Sequence, residues 1–424
     1  MNINELLLGV GRCACGKAHK CPIKHVIIGE GATSALSDIT KKYKKILLVA
    51  DENTYAAARG AESYINEKIY DRIIFPGNVI LVPNEDSINR IKSKINNETD
   101  LILGIGSGVI NDLCKHTSFE FGVPYHIIAT APSMDGYASK GAALILGGMK
   151  VTLNASVPEA IIADTDILKK APMEMIIAGY GDIIGKYSCL SDWKLSALVR
   201  GEYICDFVVN ATYEEIEKTR KIAKLLKTRD SDAIETLMKA LVSVGILMAY
   251  VGNSRPASGS EHHFSHYFEI VGILKGEEYL PHGIDVFYSA AETAKIREII
   301  CALESPLLPR ESLLRCKYKD DIHRIYGNLA DEIFELQNKM GLYNESDKRM
   351  RAYIDKWDEI RVLLSEAPKF SEMQGLLSEV GMQYSSFKEL YGDKKINDAY
   401  LYAKDLKDRY TVLWMYYDIF AGKF

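Results

Sequence analysis

Asp100-Leu-Ile-Leu-Gly104-Ile105-Gly106-Ser107-Gly108 is the stretch whose reading decides the fold. An apolar run of strand length ends in a turn of small residues, and a helical pattern opens at Val109. Such a junction lets backbone N–H groups and a helix N-terminus approach a pyrophosphate with no Cβ in the way. No GK[ST] follows, so this is not a Walker A loop, and the full G-x-G-x-x-G spacing of the standard dinucleotide unit is missing. Taken alone, the loop reads equally as a nucleotide contact or as a plain turn.

Working outward, residues 45–50 (KILLVA), 79–82, 101–103, 125–129 and 161–163 read as strands. Gly147-Gly148 reads as the tight turn of a hairpin between ALIL and VTLNA. Strands alternating with helical stretches imply an α/β domain with a mostly parallel sheet. A second small-residue loop, Thr130-Ala-Pro-Ser133-Met-Asp135-Gly-Tyr-Ala-Ser139, follows the next strand and would face the same crevice. Asp51 also ends a strand. Its carboxylate can accept from an adenosine ribose, which favours NAD, or it can cap the helix that starts in DENT.

After Leu168 the texture changes. Pro172 opens a region of helical spacing that continues through residues 231–250, 318–340 and 396–420, with no strand signal. The sequence therefore predicts an α/β dinucleotide-binding domain over residues 1–168 and an all-α domain over 169–424. Residues 341–391, charged and weakly periodic, read as surface helices.

Composition narrows the function classes. A net charge of -5 with no basic block argues against nucleic-acid binding. Apolar runs fall short of a membrane span, and MNINELLLGVGR has no basic n-region, so no membrane insertion is expected and the cytoplasm is the expected compartment. The eight Cys lack the spacing of a disulfide framework. Cys13, Cys15, His19 and Cys21 put four soft donors in one short segment, which reads as a zinc knuckle or as reduced thiols on a leading segment.

The nine His are unevenly placed, with four between positions 262 and 282. His262 and His266, four apart, share a helix face, whereas His263 points elsewhere and reads as packing. His282, just before Gly283, suits a close approach from a neighbouring helix start. Asp182 lies among apolar and small residues at an expected helix start. A buried carboxylate there needs a cation or strong donors, or else it caps the helix and pairs with Lys186. One Asp and two His would leave coordination positions open for a substrate oxygen, as a catalytic metal requires.

GIGSGVIND, TAPSMDGYAS, GYGDIIGKYS, RPASGSEHHFSH and PHGIDVF, in this order, together resemble the sn-glycerol-1-phosphate dehydrogenases. These belong to the metal-dependent alcohol and glycerol dehydrogenase superfamily, related to dehydroquinate synthase. IKHVIIGEGA and AKDLKDRYTVLW match more weakly. The resemblance implies reversible, NAD(P)H-dependent reduction of dihydroxyacetone phosphate to sn-glycerol 1-phosphate in a cleft between the two domains. It implies that Gly104, Ile105, Gly106, Ser107 and Gly108 contact the pyrophosphate and that Thr130, Ser133 and Ser139 line the dinucleotide site. It further implies that Asp135 contacts substrate and that Asp182, His262 and His282 bind one divalent metal, zinc, nickel or iron. His266 would lie beside the substrate as a proton relay, and the enzyme would be a homo-oligomer, a dimer or larger, acting on a small phosphorylated substrate. Arg255, Lys140 and Lys150 are candidates for the substrate phosphate by proximity to the matched blocks. A glycerol dehydrogenase and a dehydroquinate synthase-like cyclase or lyase are the alternatives. The latter branch usually carries Glu where this chain has Asp182.

Overall fold

A computed structural model describes residues 2–147, 149–306 and 311–421. Its contacts divide the chain into two compact units, Met1–Ile183 with Asn210–Asn253, and Ile184–Val209 with Ser254–Phe424. The dividing line falls inside one long helix, whereas the change from strands to helices lies near residue 168, where the domain boundary is expected.

The first unit is built on a six-stranded parallel sheet of β1 (His25–Gly29), β2 (Ile46–Asp51), β3 (Ile69–Phe75), β4 (Leu101–Gly106), β5 (Tyr125–Ala129) and β8 (Ala160–Asp164), in the order β1-β8-β5-β4-β2-β3. A separate hairpin pairs β6 (Gly141–Leu146) with β7 (Met149–Asn154). Gly147 of its turn has a φ of 58°, which glycine adopts without strain, and Gly148 lies outside the described residues. The central strands are buried along their whole length, so their continuous apolar runs are legible without alternation. Leu48, Leu103, Ile105, Ile128 and Ile162 form one core face, each side chain contributing about 2 kcal/mol of burial.

One expectation fails here, and two strands go unpredicted. Residues 79–82 form no strand; Val79 and Ile80 stand exposed to solvent. The strands that pattern reading does not find are β1 and β3, the two edges of the sheet. Edge strands are half-solvated, and β3 carries Asp71 and Arg72, which break the apolar run.

The β1 edge is tied to β8 by an ionic cluster. Glu159 accepts from Lys24 at 2.9 Å, Lys42 at 2.8 Å and Tyr43 at 2.7 Å, with His126 buried beside it. Burial opposes ionisation of Glu159, but the bonds from Lys42, Lys24 and Tyr43 overcome it and hold the carboxyl near 2, down from 4.5. Burial depresses His126 from 6.5 to about 4. Both folded values lie below the unfolded ones, so stability is present at neutral pH. It falls from pH 6.5 to 4 as only the unfolded His126 gains a proton, and from 4.5 to 2 as Glu159 does the same. The expected loss is about 3 kcal/mol in total, discounted for solvent screening. Urea midpoints at pH 7, 4 and 3 should follow this course, and Glu159→Gln should flatten only the lower part; a midpoint independent of pH would refute the assignment.

Six helices carry or adjoin the candidate residues: α1 (Glu52–Ala57), α2 (Gly108–Phe121), α3 (Met173–Arg200), α4 (Ser231–Val251), α5 (Ser260–Lys275) and α6 (His282–Cys301). Among the described residues α4 alone is long and apolar enough to cross a membrane, contrary to the expectation that no run reaches that length. Its Leu237, Leu241, Val244 and Ile246 are buried within the unit.

Beyond β8 the described residues form helices and no named strand. The expected helix over 318–340 is interrupted by a 3-10 turn at Gly327–Leu329, and that over 396–420 by a 3-10 turn at Ala403–Leu406 and the non-helical residues 407–411. Residues 341–391 are not surface helices only. Tyr353, Ile360, Leu377 and Phe387 are buried, with polar positions between them diluting the periodicity.

Candidate active site

In the parallel sheet every strand points its carboxyl end to one edge. The chain passes from β2 to β3 on one side and returns to β4 on the other side of β2, so the strand order reverses between β2 and β4. Ligand crevices form outside the strand ends at such a reversal. Asp51 ends β2, and Gly106 ends β4 with its carbonyl accepting from Thr130 N–H at 3.1 Å. Asp51, Ser107, Gly108 and Thr130 thus share that edge.

The glycines of this strand and turn serve packing as well. A Cβ on Gly104 would meet Ile127 and Cys114 at 2.9 and 3.0 Å, and one on Gly106 would meet Ile110 at 2.5 Å. Both let α2 lie close on the sheet, which brings its N-terminus to the strand end. Ser107 precedes α2 without a side-chain cap. Asp51 caps α1, accepting from Thr54 N–H at 2.9 Å in a capping box. The capping role that DENT suggests is therefore present, and the anchored carboxylate remains at the crevice edge.

The 130–139 loop is clasped from two sides. A Cβ on Gly179 of α3 would fall on the Pro132 carbonyl, and one on Gly245 of α4 would sit 2.7 Å from Ala138 Cβ and from the Asp135 carbonyl oxygen. From below, the fully buried Lys115 donates to the carbonyls of Gly136 and Gly141, each at 2.8 Å, and to Ser139 Oγ at 3.2 Å. Tyr137 donates to the Ala131 carbonyl at 2.7 Å. So held, Asp135 donates its N–H to Asp182 Oδ2 at 3.0 Å. Asp182 is buried, but it lies well inside α3 and not at a helix start as expected: Pro172 ends the preceding turn and the helix already runs from Met173. Lys115 and Gly245 carry no sequence signal of their own, and Gly179 only its place at the head of GYGDIIGKYS, because their partners are distant in the chain.

In the second unit three histidines gather. His262 and His266 of α5 and His282, the first residue of α6, have ring centroids 5.1 to 6.3 Å apart. His263 is fully buried and both its ring nitrogens lack partners, in keeping with packing. His262 Nδ1 is 2.7 Å from Glu261 Oε1, and His282 Nδ1 is 3.4 Å from Ser265 Oγ. A partner at Nδ1 directs Nε2 outward as the ligating nitrogen, the arrangement typical of a metal-binding imidazole. Glu261 Oε2 is buried without a partner. Burial, then the neighbouring Asp192 carboxylate, raises Glu261 to about 8, and burial followed by the Lys186 charge drives His262 well below its usual value. A cation bound to His262 is what would allow Glu261 to stay ionised, so the donor set fits a divalent metal.

Two further buried carboxylates escape sequence reading. Asp192 accepts from Ser260 N–H at 2.6 Å and Val412 N–H at 2.7 Å, fixing the start of α5. Asp285 is buried in α6, and burial followed by the Glu269 charge raises its carboxyl far above the usual range. The sequence reading passes over Glu261 as well, although its place beside His262 could have marked it; Asp192 and Asp285 carry no such marker. Arg255 is not available for a phosphate. It is buried and bidentate to Glu202, and it donates to the Tyr410 carbonyl at 2.9 Å. Lys140 is exposed, and the Lys150 side chain lies outside the described residues.

Residues 27–172 match the iron-containing alcohol dehydrogenase family model. A curated glycerol-1-phosphate dehydrogenase [NAD(P)+] of Halalkalibacterium halodurans is 29% identical over 95% of this chain and 94% of its own length. That of Geobacillus thermodenitrificans is 32% identical over 79% of this chain and 83% of its own. Among solved structures, the sulfoacetaldehyde reductase of Bifidobacterium kashiwanohense in complex with NAD+ shares the fold. It has a TM-score of 0.59 and 13% identity, covering 96% of this chain and 99% of that one.

Proposed function

We propose, from the premise that this chain belongs to the NAD(P)-dependent glycerol-1-phosphate dehydrogenases, that it reversibly reduces dihydroxyacetone phosphate to sn-glycerol 1-phosphate with NAD(P)H. Within that family reading, the observation that carries the site assignment is the histidine cluster whose Nδ1 atoms are backed by Glu261 and Ser265. Asp182 with His262 and His282 would hold one divalent metal, zinc, nickel or iron. When bound, such an ion polarises the substrate carbonyl as a Lewis acid.

The chain's own residues do the rest. Gly104, Ile105, Gly106, Ser107 and Gly108 bring the N-terminus of α2 to the pyrophosphate, whose charge its free N–H groups and dipole offset. Asp51 accepts from the adenosine ribose, and Thr130, Ser133 and Ser139 line the dinucleotide. Asp135 contacts substrate, its backbone held by Asp182. His266, more exposed than His262, passes a proton to the substrate oxygen as hydride arrives at the adjacent carbon. Glu261 is a positioning residue, acting through His262. The same reading makes the enzyme a cytoplasmic homo-oligomer, which light scattering on the purified protein tests for assembly.

The test is oxidation of NADH and NADPH by metal-reconstituted protein with dihydroxyacetone phosphate, dihydroxyacetone and a seven-carbon keto-acid phosphate side by side. The phosphorylated triose should exceed dihydroxyacetone on the order of a hundredfold in kcat/KM, with no turnover of the third. Preference for dihydroxyacetone would make the enzyme a glycerol dehydrogenase. Conversion of the keto-acid phosphate alone would make it a cyclase or lyase.

A further inference from the structure

Cys13, Cys15 and His19 take no part in the reaction, yet the fold gathers them. Val10 and His19 pair as an antiparallel bridge, with N–H to carbonyl distances of 2.9 and 2.8 Å. Within it, Cys13 N–H donates to the Lys17 carbonyl at 3.2 Å, and Gly16 N–H returns to the Cys13 carbonyl at 3.0 Å. Gly16 turns at a φ of 82° and Gly9 at 75°; a Cβ on Gly9 would lie 2.5 Å from the His19 carbonyl oxygen. The resulting knuckle brings the ligand atoms of Cys13, Cys15 and His19 within 4.8 Å of one another.

The histidine is set for the task. His19 is 1% exposed and stacked on Tyr250, with ring centroids 5.2 Å apart and planes 13° apart. Its Nδ1 lies 3.1 Å from the Tyr250 carbonyl. A carbonyl only accepts, so Nδ1 carries the proton and Nε2 presents its lone pair, 3.4 Å from Cys15 Sγ. That is the tautomer of a ligating imidazole with a carbonyl behind it. Cys21, which the sequence places with the other three, is not in the cluster.

We propose that Cys13, Cys15 and His19 bind a structural zinc ion, supplying three of its four tetrahedral positions. Two thiolates and one imidazole select zinc over magnesium or calcium, and binding releases the two thiol protons to solvent. The ion would close the leading segment on itself, and His19 joins that segment to the end of α4 through the Tyr250 carbonyl, where Tyr250 also donates its hydroxyl to the Leu6 carbonyl.

The experiment uses the full chain, reduced, loaded with zinc and then desalted, with metal counted by elemental analysis. Cys13→Ser with Cys15→Ser should lose about one zinc per chain relative to the parent, and Cys21→Ser none. Cobalt(II) loading of the parent should give a near-ultraviolet thiolate-to-cobalt charge-transfer band, kept in Cys21→Ser. The proposed catalytic ligands contain no sulfur, so that band does not report them. An unchanged zinc count in the double variant would overturn the proposal. So would the absence of the cobalt band in the parent, which remains decisive if the double variant does not fold. Recovery of a Cys13–Cys15 disulfide from reduced, zinc-loaded protein would do the same.

Discussion

Alanine at Asp182 or at His262 should lower kcat/KM for dihydroxyacetone phosphate by about a thousandfold or more. A Lewis acid that stabilises developing charge contributes several kcal/mol, and roughly 4 kcal/mol corresponds to that factor. Both variants should also lose the catalytic metal while keeping the circular dichroism of the parent. Asp182→Ala also removes the acceptor of Asp135 N–H, so it should raise KM as well as lower kcat, whereas His262→Ala should act mainly through metal content. Glu261→Gln is the gentler companion. It keeps a side-chain oxygen near His262 but loses the charge, and should cost about ten- to a hundredfold in metal affinity. A His262→Ala variant with full activity and full metal content would end the assignment.

Gly179→Ala should be the most damaging single methyl group in the first unit. The added Cβ would fall on the Pro132 carbonyl oxygen, and backbone cannot swing aside as a flexible side chain can. Either α3 moves or the 130–139 loop is displaced, and the expected cost is about 2–4 kcal/mol of stability. Displacing the loop also moves Asp135 away from Asp182, so activity should fall well beyond the loss of folded protein. Urea unfolding monitored beside kcat/KM separates the two effects. A fully stable, fully active Gly179→Ala would show that the loop does not depend on this close approach.

The buried strands and the long helices were legible because burial on every side leaves uninterrupted apolar runs or strong helical spacing. β1 and β3 were not, since a sheet edge needs only part of an apolar pattern and β3 spends Asp71 and Arg72 at the surface. His262, His266 and His282 stood out by density in a chain with only nine histidines. Arg255 misled for the opposite reason. Its position beside the matched block is a fact of sequence, while its bidentate pairing with Glu202 is a fact of folding.

By itself, then, the sequence determined the parallel α/β unit, the helical remainder and the residue types that chemistry requires, because these follow from local periodicity and composition. Only the tertiary structure decided what stands behind those residues. Glu261 backs His262, Asp192 fixes the start of α5, Lys115 and two glycines clasp the Asp135 loop, and the Tyr250 carbonyl sets the tautomer of His19. Most of these contacts join positions far apart in the chain, and their strength comes from burial and geometry, which only the folded chain supplies.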